Sequence, residues 1–410
     1  MLTVYKPEII EHENETILQA KFDCGDTNDI LWFSTTKEFG QYLCHERGDA
    51  FLIAMLHYAM KRGEDIRVLA PISERLYYAL TKHFIKIIAE MFPDYHHIRI
   101  ICDIDSENLD SAGGVGTGLS CGIDSFCTVA EHTDESCPAS YRLTHLTFFN
   151  VGASGDYGGD YARDLFHKRT EAVRPCADEL NLPLVILDSN ISEILEMNFV
   201  PSHTYRNVAA ALALQKLFRT YYYSSGYSLR TFELNYSDAS YYDAYSLNMF
   251  STNDLEFFPS GEIYSRVEKT EIVSNYPLSH KYLNVCEAAE TNCSRCHKCQ
   301  RTLVTLDLLG KLDLYRSVFD LDDYQQHRSR YFSKVLSGRK DDHFKEEIFD
   351  AIGQGDFKIP FSAHIYGYPQ SILRLGKRHC PMFMRRLYRR LRYSKCNHNN
   401  YSKPTNKDAT

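Results

Sequence analysis

The chain has 410 residues, 44% hydrophobic and 24% charged, with a formal net charge of −8. This is the composition of a soluble globular protein with room for two or three domains. The acidic balance excludes broad coating of nucleic acid and leaves only a local basic patch for such contacts. No apolar run reaches the roughly 18 residues of a membrane span. Residues 1–15, MLTVYKPEIIEHENE, have neither the apolar core nor the cleavage site of a secretory signal. Thirteen cysteines, four of them clustered, suit a reducing cytosol better than a disulfide framework. A cytoplasmic location is therefore expected.

Residues 1–110 read as an α/β unit of their own. Residues 17–22, 30–33, 66–69 and 97–103 have the pattern of strands. Residues 49–60, DAFLIAMLHYAM, are apolar nearly all round and predict a buried helix, and residues 73–91 predict a longer one. Residues 105–114, rich in Ser, Asn, Asp and Gly, form a linker. No catalytic constellation falls in this unit, and a scaffold or docking role is expected.

The next stretch, residues 113–128, reads GGVGTGLSCGIDSFCT. A strand-like run leads into Ser120, Cys121, Gly122, Ile123, Asp124 and Ser125, and a helix start follows. A small, hydroxyl-rich turn at a helix N-terminus suits a phosphate: the backbone can approach closely at Gly122, and the helix end carries partial positive charge. Ser120 and Ser125 can donate to phosphate oxygens. Asp124 would repel a bare phosphate and so implies a Mg2+ between them. No Gly-Lys-Ser/Thr follows, which excludes the P-loop of kinases. The turn resembles the pyrophosphate loop S-G-G-x-D-S of the N-type ATP pyrophosphatase (PP-loop) family, with Cys121 in place of the first glycine.

Beyond the turn, strands and helices alternate: a strand at 143–151, a Gly-rich loop at 152–159, a helix to about residue 180, a strand at 182–187, a helix at 203–221 and a strand at 232–235. Such alternation predicts an α/β fold with a parallel sheet covered on both faces, whose ligands sit at the carboxyl ends of the strands. The loop 153–159 has the composition of a lid. Arg206 at a helix start opposes the helix dipole, an arrangement that an anion would justify.

Cys286, Cys293, Cys296 and Cys299 lie in CEAAETNCSRCHKC. Two overlapping C-x-x-C steps with a fourth cysteine upstream suit a tetrahedral Zn2+ held by four thiolates. Such a closed site is structural rather than catalytic. Arg295, Lys298 and Arg301 are placed to offset its negative charge, and His297 is an alternative ligand.

Four separated elements follow the order found in the 7-cyano-7-deazaguanine synthases of the PP-loop family. They are the turn at 120–125, Arg206 with Asn207, the segment NYSDASYYD at 235–243 with Asp238, Ser240 and Asp243, and the cysteine cluster followed by Arg301. Residues 265–273, SRVEKTEIV, are similar to a fifth element and supply Lys269. The resemblance covers residues 115–310, about half of the chain. It implies a Rossmann-like (HUP-type) sheet that binds ATP, Mg2+ and Zn2+, with Asn150 at the strand end near the adenine. Asp124, Arg206 and Lys269 would act on the phosphates, and Asp238, Ser240 and Asp243 on the acceptor. The implied reaction adenylates a small carboxylate such as 7-carboxy-7-deazaguanine, the chemistry of queuosine biosynthesis, and lets ammonia or an amine displace AMP. The base-pocket segment has diverged, and another small acid is the alternative acceptor. Residue 2 is Leu2, which provides no N-terminal Cys to release ammonia from glutamine. Sulfur transfer to tRNA through Cys121 or Cys127, and non-catalytic nucleotide binding, are the competing readings.

The expected organisation is a domain at 1–110, a PP-loop domain at 111–310 with its knuckle at 286–299, a helical region at 311–395 and a disordered tail at 396–410. Residues 382–392, MFMRRLYRRLR, predict a basic amphipathic helix suited to an anionic membrane or a phosphate backbone. A second copy of the chain is a further candidate partner.

Overall fold

A computed structural model describes residues 1–25, 27–340 and 342–364. The basic helix expected at 382–392 and the tail at 396–410 lie outside the described residues. The chain divides into two units, Met1–Leu321 and Asp322–Thr410.

The strands of the first unit are β1 (Leu2–Val4), β2 (Glu8–Glu11), β3 (Glu15–Cys24), β4 (Thr27–Thr36), β5 (Ile66–Val68), β6 (Ile72–Ser73), β7 (Ile100–Ile101), β8 (Ile104–Asp105), β9 (Gly114–Gly118), β10 (His145–Asn150), β11 (Leu184–Ser189), β12 (Phe218–Ser224) and β13 (Glu256–Ser260). The helices that matter below are α1 (Asp49–Arg62), α2 (Ile123–Thr133), α3 (Asp160–Leu180), α4 (His203–Ala213), α5 (Arg266–Ser274) and α6 (His297–Leu308).

Eleven strands form one sheet in the order β13-β12-β9-β10-β11-β4-β3-β1-β5-β7, with β2 on β3. From β13 to β11 every neighbour is parallel. Within that half the chain runs outward from β9 through β10 to β11, then returns to the other side of β9 for β12 and β13. The order therefore reverses between β9 and β12, and ligands of doubly wound sheets bind at such a crevice.

The boundary expected near residue 110 does not interrupt this sheet. β4 pairs antiparallel with β11, Leu187 facing Thr35 and Ser189 facing Phe33. On one face α1 packs against α4. Both are almost wholly buried, from Ala50 to Met60 and from Val208 to Ala213, which is why α1 reads as apolar on every side. Arg47, itself buried, donates to Asp254 at 2.7 Å and to Asp105 at 2.9 Å, tying the first hundred residues to the segment before β13. A hydrophobic core common to both halves replaces the separate domain that the linker-like composition suggested.

One stretch departs from its expected structure. The helix expected over residues 203–221 stops at Ala213, and Phe218–Ser224 is the fourth parallel strand, while residues 232–235 form no strand. The sequence FRTYYYS is aromatic and β-branched, residues that lose freedom in a helix but fit a pleated surface. Tyr221 stacks on Phe149 of β10 with centroids 6.2 Å apart. β13 was not expected at all. The helix expected at 73–91 is there, but it carries a π segment at Leu80–Phe84 between Glu74–Ala79 and Ile85–Met91.

Helices Leu321–Gly338 and His343–Gln354 fall within the region expected to be helical, whose residues 365–395 lie outside the described ones. Asp342 caps the latter by accepting from the Lys345 N–H, and Phe332 stacks on Phe357 at 5.3 Å. No described helix is long and apolar enough to cross a membrane.

Candidate functional site

The turn between β9 and α2 opens at the reversal point. Ser125 is buried and organises it: its hydroxyl accepts from the Ser120 N–H at 3.1 Å and donates to the Gly118 carbonyl at 3.1 Å. Ser120 is exposed, and its hydroxyl accepts from the Gly122 N–H at 3.3 Å. Gly122 is the N-cap of α2 and has no side chain to cover the helix end. Cys121 adopts φ of 56°, the left-handed conformation that favours glycine. The replacement of glycine by cysteine thus leaves the backbone in a glycine-like bend. The thiol does not fill the mouth of the turn. It is buried against Cys176 of α3, and that contact together with burial raises its pKa.

Asp124, at the second position of α2, has a side chain 29% exposed. Its Oδ1 accepts from Arg266 Nη1 at 2.8 Å and from Lys269 Nζ at 3.3 Å. Burial alone would raise this carboxyl, but the two cations outweigh it and hold it below the usual carboxylate range. Both cations come from α5. Ser265 and Glu268 form a capping box at its start, which sets the helix so that Arg266 and Lys269, three apart, lie on one face. Lys269 is buried and also donates to the Ser225 carbonyl at 2.5 Å. Gly261, with φ of 75°, lets the chain pass close to it: a Cβ there would sit 3.2 Å from Lys269 Cε. Lys269 is therefore not a solvated charge at a helix end.

Asp238, Ser240 and Asp243 gather next to this centre, around His203. The His203 ring meets Ser240 Oγ at 2.9 Å through Nε2 and the Tyr223 hydroxyl at 2.6 Å through Nδ1. Asp238 Oδ1 accepts from the Ser240 N–H at 2.9 Å and lies 3.6 Å from His203 Nε2. Asp243 is buried; one oxygen accepts from Thr204 at 2.6 Å and the other has no hydrogen-bond partner. Burial pushes its pKa up to about 6, against the opposing pull of His203, Thr204 and Lys269. Ser225 and Ser260, at the ends of β12 and β13, also carry buried hydroxyls without partners. Buried polar atoms of this kind are uncommon in folded proteins and call for a partner such as an ordered water or a ligand.

Arg206 stands apart. It is wholly buried, and its guanidinium donates to the carbonyls of Asp156 at 3.1 Å and Met197 at 2.7 Å and to Ser192 Oγ at 3.1 Å. Burial lowers its pKa to about 10. It fastens the loop 152–159 from beneath, so in this conformation the loop is held rather than loose. Tyr157 adds a bond to Asn198 at 2.8 Å, and Gly159 donates to Glu193 at 2.9 Å. Asn207 bonds back within α4 to the His203 carbonyl at 2.8 Å. Asn150 ends β10, next to β9, where its amide donates to Asp188 of β11 at 2.7 Å.

Arg266 and His203 were missed in the sequence. The signal for Arg266 was there: a cation at the first position of a helix, against the dipole, the same argument that drew attention to Arg206. His203 offered no motif, because its role depends on β12 bringing Tyr223 beside it.

The four cysteines converge. Their sulfur atoms all lie within 4.8 Å of one another, and Cys286 Sγ is 3.9 Å from Cys296 Sγ. Four thiolates about 2.3 Å from a tetrahedral Zn2+ are roughly 3.8 Å apart, so the set fits that ion. The N–H groups of Cys296 and Cys299 donate to Cys293 Sγ at 3.2 Å and Cys296 Sγ at 3.4 Å. His297 points to Glu287 at 2.6 Å instead.

No protein-family model, curated protein or solved structure matches this chain. The site is therefore read from its own geometry.

Proposed function

We propose that the protein is an ATP-dependent ligase of PP-loop type that joins a small carboxylic acid to ammonia or an amine. The observation that carries this reading is Asp124. It is an ionised carboxylate at an uncapped helix N-terminus, at the reversal point of a parallel sheet, facing Lys269. An open helix end beside fixed cations is suited to a polyphosphate. Asp124 has the chemistry to hold Mg2+, which would neutralise charge on the phosphates.

In the proposed reaction a carboxylate oxygen of the acceptor attacks the α-phosphorus and pyrophosphate departs. A nitrogen lone pair then attacks the acyl carbon, its proton leaves, and AMP carries away the carboxyl oxygen. Ser120, the backbone at Gly122 and Lys269 would stabilise the departing pyrophosphate. Asp238, Ser240 and Asp243, gathered around His203, would orient the acceptor. The Rossmann-like, HUP-type identity of the sheet belongs to this proposal and is supported by the strand order on either side of β9. Zn2+ on Cys286, Cys293, Cys296 and Cys299 would serve structure, since four sulfurs leave no open position.

Sulfur transfer gains less support. It needs a reactive thiolate, but the contact with Cys176 and burial raise the Cys121 thiol, and burial raises that of Cys127 to about 12. The test is release of AMP and pyrophosphate, with and without ammonia, over deazapurine, sugar and amino acids. Wild type should release both with its acid, and Asp124→Ala should release neither. Equal release by the two proteins sinks the assignment.

A further inference from the structure

The carboxylate assigned to a metal already has two cations on one oxygen. Arg266 Nη1 and Lys269 Nζ both bond Asp124 Oδ1, at 2.8 and 3.3 Å. Mg2+ requires near-octahedral oxygen ligands at about 2.1 Å and releases its waters reluctantly. While the guanidinium and the ammonium hold Oδ1, an ion can reach only Oδ2, where both cations repel it.

The two cations differ in how firmly they are placed. Lys269 is anchored on the Ser225 carbonyl at 2.5 Å and closely packed by Gly261. Arg266 reaches Asp124 with one arm of a flat fork and the Gly226 carbonyl with the other, at 2.9 Å. A guanidinium can keep the carbonyl and turn its other arm from a carboxylate to a phosphate oxygen, because both acceptors suit its geometry.

We infer that Arg266 and the divalent metal compete for Asp124, and that polyphosphate resolves the competition by drawing the Arg266 guanidinium onto a phosphate oxygen. This rests on the proposal that the turn at 120–125 takes the phosphates of ATP. It adds a residue that the sequence resemblance does not supply, and an order of preference: polyphosphate is bound without metal, metal alone is bound poorly, and each assists the other. Arg266 is a binding residue for phosphate and a negative regulator of the bare metal site.

The test uses zinc-loaded protein. Free Mn2+ is followed by electron paramagnetic resonance, and inorganic tripolyphosphate in magnesium-free buffer and ATP with Mg2+ are titrated by calorimetry. Arg266→Gln should bind Mn2+ alone about threefold more tightly or better, since one competing ion pair is gone. It should bind metal-free tripolyphosphate about tenfold more weakly, since a charge-assisted hydrogen bond is lost. Arg266→Lys should fall between wild type and Arg266→Gln in both. Unchanged zinc content and thermal midpoint report that the variants fold.

The opposite signs are diagnostic. If Arg266→Gln weakens both ligands, or alters neither, the inference is overturned. If ATP binds wild type and not Asp124→Ala while Arg266→Gln behaves as wild type, only the inference fails. If wild type and Asp124→Ala are alike in binding no polyphosphate, the reading of the turn fails and the inference with it.

Discussion

The backbone N–H of Asn284 donates to the carbonyl of Cys121 across 2.8 Å. The segment that leads into the cysteine cluster is thus bonded to the turn that starts α2. Asn292 reinforces the link. It donates to the Leu283 carbonyl at 2.7 Å, accepts from the Val285 N–H at 2.9 Å and lies 3.9 Å from Cys299 Sγ. A metal on the cysteines would fix Cys286, whose N–H donates to Asn284 Oδ1 at 3.2 Å, and with it the 283–285 segment beside the turn.

On the proposed reading of the turn as a phosphate site, metal removal should therefore be felt there. Stripping Zn2+ should lower the affinity for ATP by about 5- to 100-fold, the span of ordinary coupling between sites. Asn292→Ala should keep its zinc, measured by atomic absorption, yet lose ATP affinity in the same range. Full ATP affinity in zinc-free protein with an intact fold would show that the knuckle and the turn are independent.

Cys121 makes a separate prediction about the turn itself. At φ of 56° a non-glycine residue costs about 1–2 kcal/mol. Cys121→Gly relieves that strain but loses the buried thiol contact, so stability in urea should change by no more than about 1 kcal/mol and ATP binding should persist. Cys121→Val, β-branched in the same bend, should lose about 2 kcal/mol. A Cys121→Val protein as stable as wild type would mean the bend is not maintained.

Asp243 sets a pH dependence. Its pKa in the fold is raised from 3.8 to about 6, so the folded state holds this proton more tightly than the unfolded chain. Its contribution is fully present below about pH 4 and is lost as pH rises through about 6. The displacement corresponds to about 3 kcal/mol. Asp243→Asn should match wild type in stability near pH 4 and exceed it by up to about 3 kcal/mol above pH 6, by denaturant titration at each pH. Asp124 does not confuse the window, because its pKa is lowered: its contribution is lost only as pH falls below the ordinary carboxylate range. If Asp243 orients the acceptor, the more stable variant should also be the less active one.

Arg206 is the case for a positioning role. Replacing it with Met leaves the carbonyls of Asp156 and Met197 without their donor, at a cost of about 3 kcal/mol. Amide exchange in residues 152–159 should quicken in Arg206→Met, and Arg206→Lys should not restore it, since one ammonium cannot reach acceptors spread around a fork. Unchanged exchange in that loop would remove the proposed link.

Much of this was legible in the residues. Local patterns are written in neighbouring positions, so α1, α2, α3, β9, β10 and β11 could be read from periodicity and punctuation. The spacing of the cysteines carried the four-sulfur cluster, because two C-x-x-C steps can close on one ion in few ways. The turn at 120–125 was visible for a similar reason: it lies within a dozen residues, and its hydroxyls, glycine and carboxylate have one plausible geometry before a helix.

What escaped depends on partners far away in sequence. Residues 218–221 looked like helix because an apolar helix ran into them, and only pairing with β9 and β13 makes that segment a strand. Arg206 and Arg266 share the same local signature, a cation in the first turn of a helix, yet one is enclosed by carbonyls of residues 156 and 197 and the other faces Asp124. Sequence alone determined the turn, the cysteine spacing and most of the elements, since each is set by bonds within one stretch of chain. Which cation meets the carboxylate, and that residues 1–110 extend the common sheet, were decided by packing, because burial is a property of surfaces that only folding brings together.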